Sequence, residues 1–219
     1  HFDVPASAQQ VLVGRDAEQV ARAAHFFGWA ETATDWRQVV DRQDIDIIDI
    51  CTPGHTHAEI AVAALRAGKH VLVEKPLANS LAEAQSMVDA AEAAAQRGVV
   101  SMVGFNYRRV PALTHARDLI SAGRIGQVRQ VRAAYLQDWL ADASAPMTWR
   151  LRAETAGSGA LGDIGSHVVD LVGFLTGATI TEVSARLQTF VPQRTGHSGP
   201  EDVTVDDAAW LTLGLSGGQ

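Results

Sequence analysis

Ile45-Asp46-Ile47-Ile48-Asp49-Ile50-Cys51, then Thr52-Pro53-Gly54, then a helical stretch from His57 to Ala67, then Gly68-Lys69-His70-Val71-Leu72-Val73-Glu74-Lys75-Pro76: this succession decides the fold. The isoleucine-rich run reads as a strand, and the Pro-Gly pair after it forces a sharp loop. In the helical stretch Ile60, Ala64 and Leu65 share one face, and Gly68 sits where a left-handed cap ends a helix. Val71-Leu72-Val73 is short, wholly apolar and followed by charge, which fits a second buried strand. Two strands bridged by a helix make a parallel pair.

Working outward, the same alternation continues. Val11-Leu12-Val13 reads as a short buried strand, and Asp16 caps a helix that runs to about His25. Trp36 to Arg42 is a short helical piece. Ser80 starts a long alanine-rich helix, with Glu83 placed for a capping box, that runs to about Arg97 and stops at Gly98. Val99 to Phe105 is another strand. Beyond it the texture changes. Pro111 to Ala122 is a helix closed by Gly123, Gln127 to Gln137 alternates like a half-exposed strand, and a glycine-rich approach leads to a helix over Ile164 to Leu175. Ile180 to Phe190 and Val203 to Leu215 read as strands. The expectation is α/β: a parallel-sheet domain over residues 1–104, then an α+β domain over 105–219 with a mostly antiparallel open sheet.

The 219 residues are 47% hydrophobic and 20% charged, the composition of a globular protein. A net charge of −7 argues against a nucleic-acid surface. No apolar run approaches the ~20 residues of a membrane span. The opening His1-Phe2-Asp3-Val4-Pro5 has no basic segment and no apolar core, so it does not read as a signal peptide. With Cys51 as its single cysteine the chain has no internal disulfide and no cysteine-rich zinc site, and a reducing, cytoplasmic setting is expected. His55 and His57, two apart with no carboxylate or thiol beside them, are too few ligands for a metal, and none is expected. Sixteen arginines stand against two lysines, Lys69 and Lys75. Where cations are otherwise written as Arg, a lysine can be kept because its proton is tunable.

Four groups could carry chemistry. Glu74-Lys75-Pro76 leaves the carboxyl end of a buried strand, where open α/β sheets hold their ligands; the same pair is compatible with a surface ion pair worth under ~1 kcal/mol. Asp163 and His167 are four apart, so on a helix they share a face, and a carboxylate one turn from an imidazole can orient it and raise its basicity. Equally, Asp163 could be an N-cap and His167 a core residue. Gly104 to Arg109 is a polar cluster leaving a strand, open to either a cofactor or solvent. Tyr135, Gln137 and Trp139 alternate, followed by Trp149-Arg150; aromatic faces with an amide suit a sugar or polyol, and ordinary sheet packing would use them too.

Taken together, Asp49-Ile50-Cys51-Thr52-Pro53 with His57, the run Gly68 to Pro76, Gly104-Phe105-Asn106-Tyr107-Arg108-Arg109 and Gly162-Asp163-Ile164-Gly165-Ser166-His167 resemble, in the same order, the Gfo/Idh/MocA oxidoreductases. The run Tyr135 to Trp139, Trp149-Arg150 and Ala156 to Asp163 resembles the branch of that family containing levoglucosan and inositol dehydrogenases. The resemblance implies a Rossmann-type nucleotide-binding domain followed by a substrate and oligomerisation domain. It implies hydride transfer between NAD or NADP and a secondary hydroxyl of a sugar, anhydrosugar or polyol. Lys75, Asp163 and His167 would be the catalytic groups. Arg15, Thr52, Pro53, His57, Glu74, Lys75, Asn106, Trp149 and Arg150 would meet the cofactor, and Lys75, Tyr135, Gln137, Trp139, Asp163 and His167 the substrate. A homo-oligomer, dimer or tetramer, would form through the second domain's sheet, with no membrane or nucleic-acid partner.

Two departures from the family pattern accompany this. No GxGxxG-type turn precedes Val11, and the chain stops at Leu215-Ser216-Gly217-Gly218-Gln219 where the family's sheet would continue, so the sequence reads as an incomplete Rossmann-type domain and a shortened second domain of a larger enzyme. Arg15 beside Gly14, at the ribose-reading position, keeps NADP open alongside NAD. Two other functions within the fold stay open: a non-catalytic nucleotide-binding sensor or co-repressor, which would not need Lys75, Asp163 and His167 together, and a nicotinamide-dependent glycosidase. Finally, Lys75 must turn abruptly out of a central strand, and the matching family segment carries a cis bond. The Lys75–Pro76 bond is therefore expected to be cis, against a base rate of about one X–Pro bond in twenty.

Overall fold

The computed structural model of the chain describes residues 9–217; His1 to Pro5, and Gly218 and Gln219, on which part of the sequence reading rests, lie outside them. The quoted stretch forms the expected unit. Strand β3 (Ile47–Ile50) pairs in parallel with β4 (His70–Val73), with Ile50 opposite Val73, and α3 (His57–Arg66) connects them. Ile60, Ala64 and Leu65 of α3 are buried with Ile50, Val71 and Val73, which accounts for the helical spacing of those apolar positions. Gly68 follows the helix with φ +80°, a conformation that strains any side chain. Strand β5 (Ser101–Val103) lies on the other side of β4, after α4 (Leu81–Ala95).

Earlier in the chain, β1 (Val11–Val13) pairs in parallel with β2 (Glu31–Ala33), a strand that the sequence reading did not anticipate. Glu31 and Thr32 are exposed, so β2 carries no apolar signature. Between them runs α1 (Ala17–Phe27), whose N-terminus is capped by Asp16 through the N–H groups of Glu18 and Gln19. The short α2 (Arg37–Val40) follows. Lys69 is buried and donates to the carbonyls of Arg42 and Ile45, closing the loop that leads into β3. One of the two lysines is thus a structural clamp, so scarcity of lysine alone did not single out Lys75.

The chain divides into two compact units: residues up to 51 with 56–73 and 82–102, and residues 52–55 and 74–81 with the chain from 103 onward. The second unit contains α5 (Pro111–Ser121), α6 (Ala153–Ala156), α7 (Ser166–Thr176) and four strands in two antiparallel pairs. β6 (Ile180–Gln188) pairs with β9 (Ala208–Leu215), and β7 (Gln193–Gly196) with β8 (Gly199–Asp202). The expected strand over 127–137 does not form. Its alternation is real, but among the described residues no ladder satisfies its backbone, and alternation specifies a face rather than a partner. The expected helix over 164–175 also starts differently: a π-helical turn, Leu161–Gly165, precedes α7. The Lys75–Pro76 bond is cis, as expected.

Leu65 is 2% exposed on the face of α3 that anchors β3 and β4. Leu65→Ala should destabilise the protein by about 2–5 kcal/mol, the range for emptying such a core position. Denaturant unfolding that returns a loss under about 1 kcal/mol would show that this face is not the core of the parallel unit.

Candidate active site

Lys75 follows β4 by two residues and belongs to the second unit. Its ammonium donates to the backbone carbonyl of Asp163 at 2.5 Å and to the Asp163 carboxylate Oδ1 at 2.8 Å. The lysine side chain is 14% exposed and the aspartate 41%, so the contact is partly shielded. The π-helical turn places both acceptors, the carbonyl and the side chain of one residue, on the same ammonium. Such turns are rare and recur at functional sites. Gly162 lies inside the turn, and a Cβ there would lie 1.9 Å from Ser158 Oγ, so that hydroxyl would have to move.

His167 is the second residue of α7, and it is buried. The ring packs edge-on against Tyr107 at 4.7 Å between centroids and against Phe105 at 6.0 Å. Its Nδ1 is sealed from solvent with no hydrogen-bond partner. Burial first, and then the nearby Lys75 ammonium, push the imidazole below its ordinary value, with Asp163 opposing. The pocket therefore holds a neutral ring, able to accept a proton near neutral pH.

A row of side chains extends from the histidine. The Tyr107 and Tyr135 hydroxyls are 2.6 Å apart. Gln137 donates its amide N–H to the Tyr135 oxygen at 3.2 Å, and the Trp139 indole N–H donates to Gln137 Oε1 at 3.1 Å. The three residues expected on one face of a strand thus do line up, though no strand holds them. Beneath the tyrosines lies a cavity of about 420 Å³ whose other walls, Arg132 apart, are apolar, including Leu113, Val168, Leu171 and Leu175. That lining does not suit a hydroxyl-rich molecule, which instead matches the polar row above it.

Of the residues assigned to a cofactor, Thr52, Pro53, Glu74, Asn106, Trp149 and Arg150 belong to the same unit as Lys75, whereas Arg15 and His57 belong to the other. Thr52 and Glu74 leave neighbouring parallel strands just past the Ile50–Val73 rung, the ends at which such sheets bind ligands. Glu74 is exposed and accepts the Lys75 N–H at 3.1 Å. Asn106 opens a 3₁₀ turn and is exposed. Trp149 and Arg150 form another, with the guanidinium 4.4 Å over the indole ring. Arg15 is exposed after β1, and His57 is buried at the start of α3. His55 Nδ1 lies 3.4 Å from the Thr155 carbonyl.

Two residues escaped the sequence reading. Tyr107 was lost within a polar run, although it and Tyr135 are the chain's only tyrosines and their pairing was a possible signal. Asp206 accepts two backbone N–H groups just ahead of the π-helical turn, and nothing in the sequence points to it.

Parallel strands with polar residues at their carboxyl ends, followed by an antiparallel unit, define a Rossmann-type two-domain protein. Comparison with known families agrees: residues 5–105 match the oxidoreductase family with an NAD-binding Rossmann fold, and residues 113–219 match the GFO/IDH/MocA C-terminal domain. The chain belongs to the Gfo/Idh/MocA family. Levoglucosan dehydrogenase of Pseudarthrobacter phenanthrenivorans is 45% identical over 194 residues, covering 89% of this chain and 49% of that protein. The crystal structure of an oxidoreductase domain protein from Kribbella flavida superposes with a TM-score of 0.94 at 58% identity, covering 96% of this chain and 56% of that one. A levoglucosan dehydrogenase in complex with NADH and levoglucosan superposes with a TM-score of 0.91 at 42% identity, covering 99% and 58%. The chain spans about half the length of the curated relatives it matches.

The hydrogen bond to Tyr135 is the main cause that raises the Tyr107 phenol above its ordinary value near 10. With only two tyrosines, an alkaline absorbance titration should resolve a phenol ionising above pH 10, and Tyr135→Phe should bring Tyr107 back towards the ordinary value. A wild-type titration with no component above that value would contradict the pairing.

Proposed function

We propose that this chain forms the nucleotide-proximal and catalytic part of an NAD-dependent oxidoreductase that transfers a hydride between the cofactor and a secondary hydroxyl of a sugar, anhydrosugar or polyol. The observation that carries the proposal is the Lys75 ammonium held by two oxygens of Asp163 beside a buried, neutral-leaning His167. The named relatives, a levoglucosan dehydrogenase and its complex with NADH and levoglucosan, support the substrate class.

The residues present fit a nicotinamide cofactor. Thr52, Pro53 and Glu74 stand at the carboxyl ends of parallel strands, and the Trp149–Arg150 stack offers a flat cationic face. With Asn106 they are the residues of this unit proposed to hold it; in the other unit, Arg15 at the ribose-reading position of the sequence is the residue that would admit a ribose phosphate. When bound, the nicotinamide supplies the acceptor for the hydride that leaves the carbinol carbon. His167 takes the hydroxyl proton on the ring nitrogen other than the sealed Nδ1, leaving a ketone. Lys75 stabilises the negative charge developing on that oxygen, and Asp163 fixes the ammonium where the charge appears. Tyr135, Gln137 and Trp139 line the polyol's other hydroxyls and C–H faces.

A cytoplasmic setting fits the single thiol, and among the described residues no helix is long and apolar enough to cross a membrane. Self-association through the β6–β9 ribbon is supported by Val183, Leu187, Phe190 and Trp210, all exposed on it or at its end.

Cofactor reduction followed with a panel of anhydrosugars, sugars and inositols tests the reading. Lys75→Ala and His167→Ala should each lower turnover by about 100-fold or more, and the double variant by less than the product because the two act as a unit. Wild-type rates in either variant would remove its assignment. The pH profile gives a separate check. A histidine depressed below its ordinary value of 6.5 is neutral above that pH, so kcat/KM for oxidation should be full there and fall only as pH drops through the lowered value. An acidic limb above pH 6.5 would contradict a buried His167 base.

A further inference from the structure

Asp206 stands just ahead of β9, far in sequence from Asp163, yet it grips the segment that delivers that residue. Its Oδ1 accepts the Gly159 N–H at 2.9 Å and its Oδ2 the Leu161 N–H at 2.7 Å. Its own backbone carbonyl accepts the Ala160 N–H at 2.9 Å. One residue thus satisfies three successive donors at the start of a helix, where donors otherwise have no partner. The fit is tight: a Cβ at Gly159 would sit 1.7 Å from the Asp206 carbonyl oxygen. The Gly159 carbonyl in turn accepts the Asp163 N–H at 2.8 Å.

We propose that Asp206 is a positioning residue for the reaction: by pinning residues 159–161 it sets the register of the π-helical turn and so places the Asp163 carbonyl and carboxylate on the Lys75 ammonium. The inference rests on the reading of Lys75 and Asp163 as catalytic groups. Its chemistry is specific. Two carboxylate oxygens face two part-buried N–H donors, so Asp206→Asn turns one amide NH₂ towards a backbone N–H and takes away that donor's acceptor. Slippage of this turn moves both of Asp163's acceptors, and a displacement of about 1 Å at such a centre can cost about 100-fold in rate. Neighbouring Asp207 provides an internal control, because its carboxylate accepts the N–H groups of Phe190 and Val191 instead.

The two lysines allow a test independent of activity. Lys69 is buried in the first unit and Lys75 is held by Asp163 in the second. Under limited reductive methylation read by peptide mass spectrometry, Asp206→Asn should speed modification of Lys75 about fivefold or more while Lys69 keeps its wild-type rate. Asp206→Glu, which keeps the charge but moves the oxygens, should do the same to a lesser degree and serves if the asparagine variant does not fold. Asp207→Asn should leave Lys75 unchanged. An unchanged Lys75, or a parallel rise at both lysines, would overturn the proposal. In turnover with levoglucosan and NAD⁺, Asp206→Asn should lower kcat about 10- to 100-fold with cofactor KM unaltered. In an Asp163→Ala background the same change should cost less than about twofold. An equal loss in both backgrounds would mean that Asp206 acts on stability alone. If the wild-type protein reduces no cofactor with any sugar, the functional reading falls, and the methylation result alone decides the positioning role.

Discussion

The grip of one aspartate's two oxygens on one ammonium organises the second unit. Lys75 and Asp163 are 88 residues apart in sequence, and their contact ties the loop leaving a parallel strand to the helical turn that introduces His167. A lysine so held is a fixed positive charge rather than a flexible one, and fixed charge in a partly shielded site is what stabilises a developing oxyanion without reorganisation. The same ammonium helps to keep His167 neutral. One interaction therefore supports both halves of the proposed chemistry, electrostatic stabilisation and proton acceptance.

β3 and β4 bring Thr52 and Glu74 out beside one another because their rungs are in register, and the buried face of α3 holds the two strands together. Within the second unit, Gly159 and Gly162 let the chain pass close to Asp206 and Ser158, and the π-helical turn then offers a carbonyl and a carboxylate together. The row from Trp139 to Tyr107 is linked by side-chain hydrogen bonds, with the Tyr107 ring packed against His167. Its backbone joins no ladder, so this wall is the part of the site with the least independent support.

Much of the parallel unit was legible because its signals are local. Ile45 to Cys51, the face of Ile60, Ala64 and Leu65, and the cap at Gly68 each depend on neighbours within a few residues, and all formed as read. Asp16 capped its helix for the same reason. Strand β2 was missed because two of its three residues are exposed and polar. The segment 127–137 was misread because alternation describes which way side chains point, while a strand also needs a partner backbone. The turn at 161–165 was misread as the approach to an ordinary helix because the two differ by one residue in hydrogen-bond register, which composition does not encode. Lys75, Asp163 and His167 could be named from a resemblance, but the two-oxygen geometry between them, the ring of Tyr107 against His167 and the role of Asp206 arise only when distant segments meet.

In the proposed reaction, carbon-bound hydrogen moves directly from a polyol to the nicotinamide while His167 takes only the hydroxyl proton. Levoglucosan deuterated at its carbinol carbons, incubated with the protein and NAD⁺ in ordinary water, tests this by mass spectrometry of the reduced cofactor. Deuterium should be found in the reduced nicotinamide, with a slowed rate if the C–H step limits turnover. Reduced cofactor free of deuterium, with the label lost to water, would contradict the account.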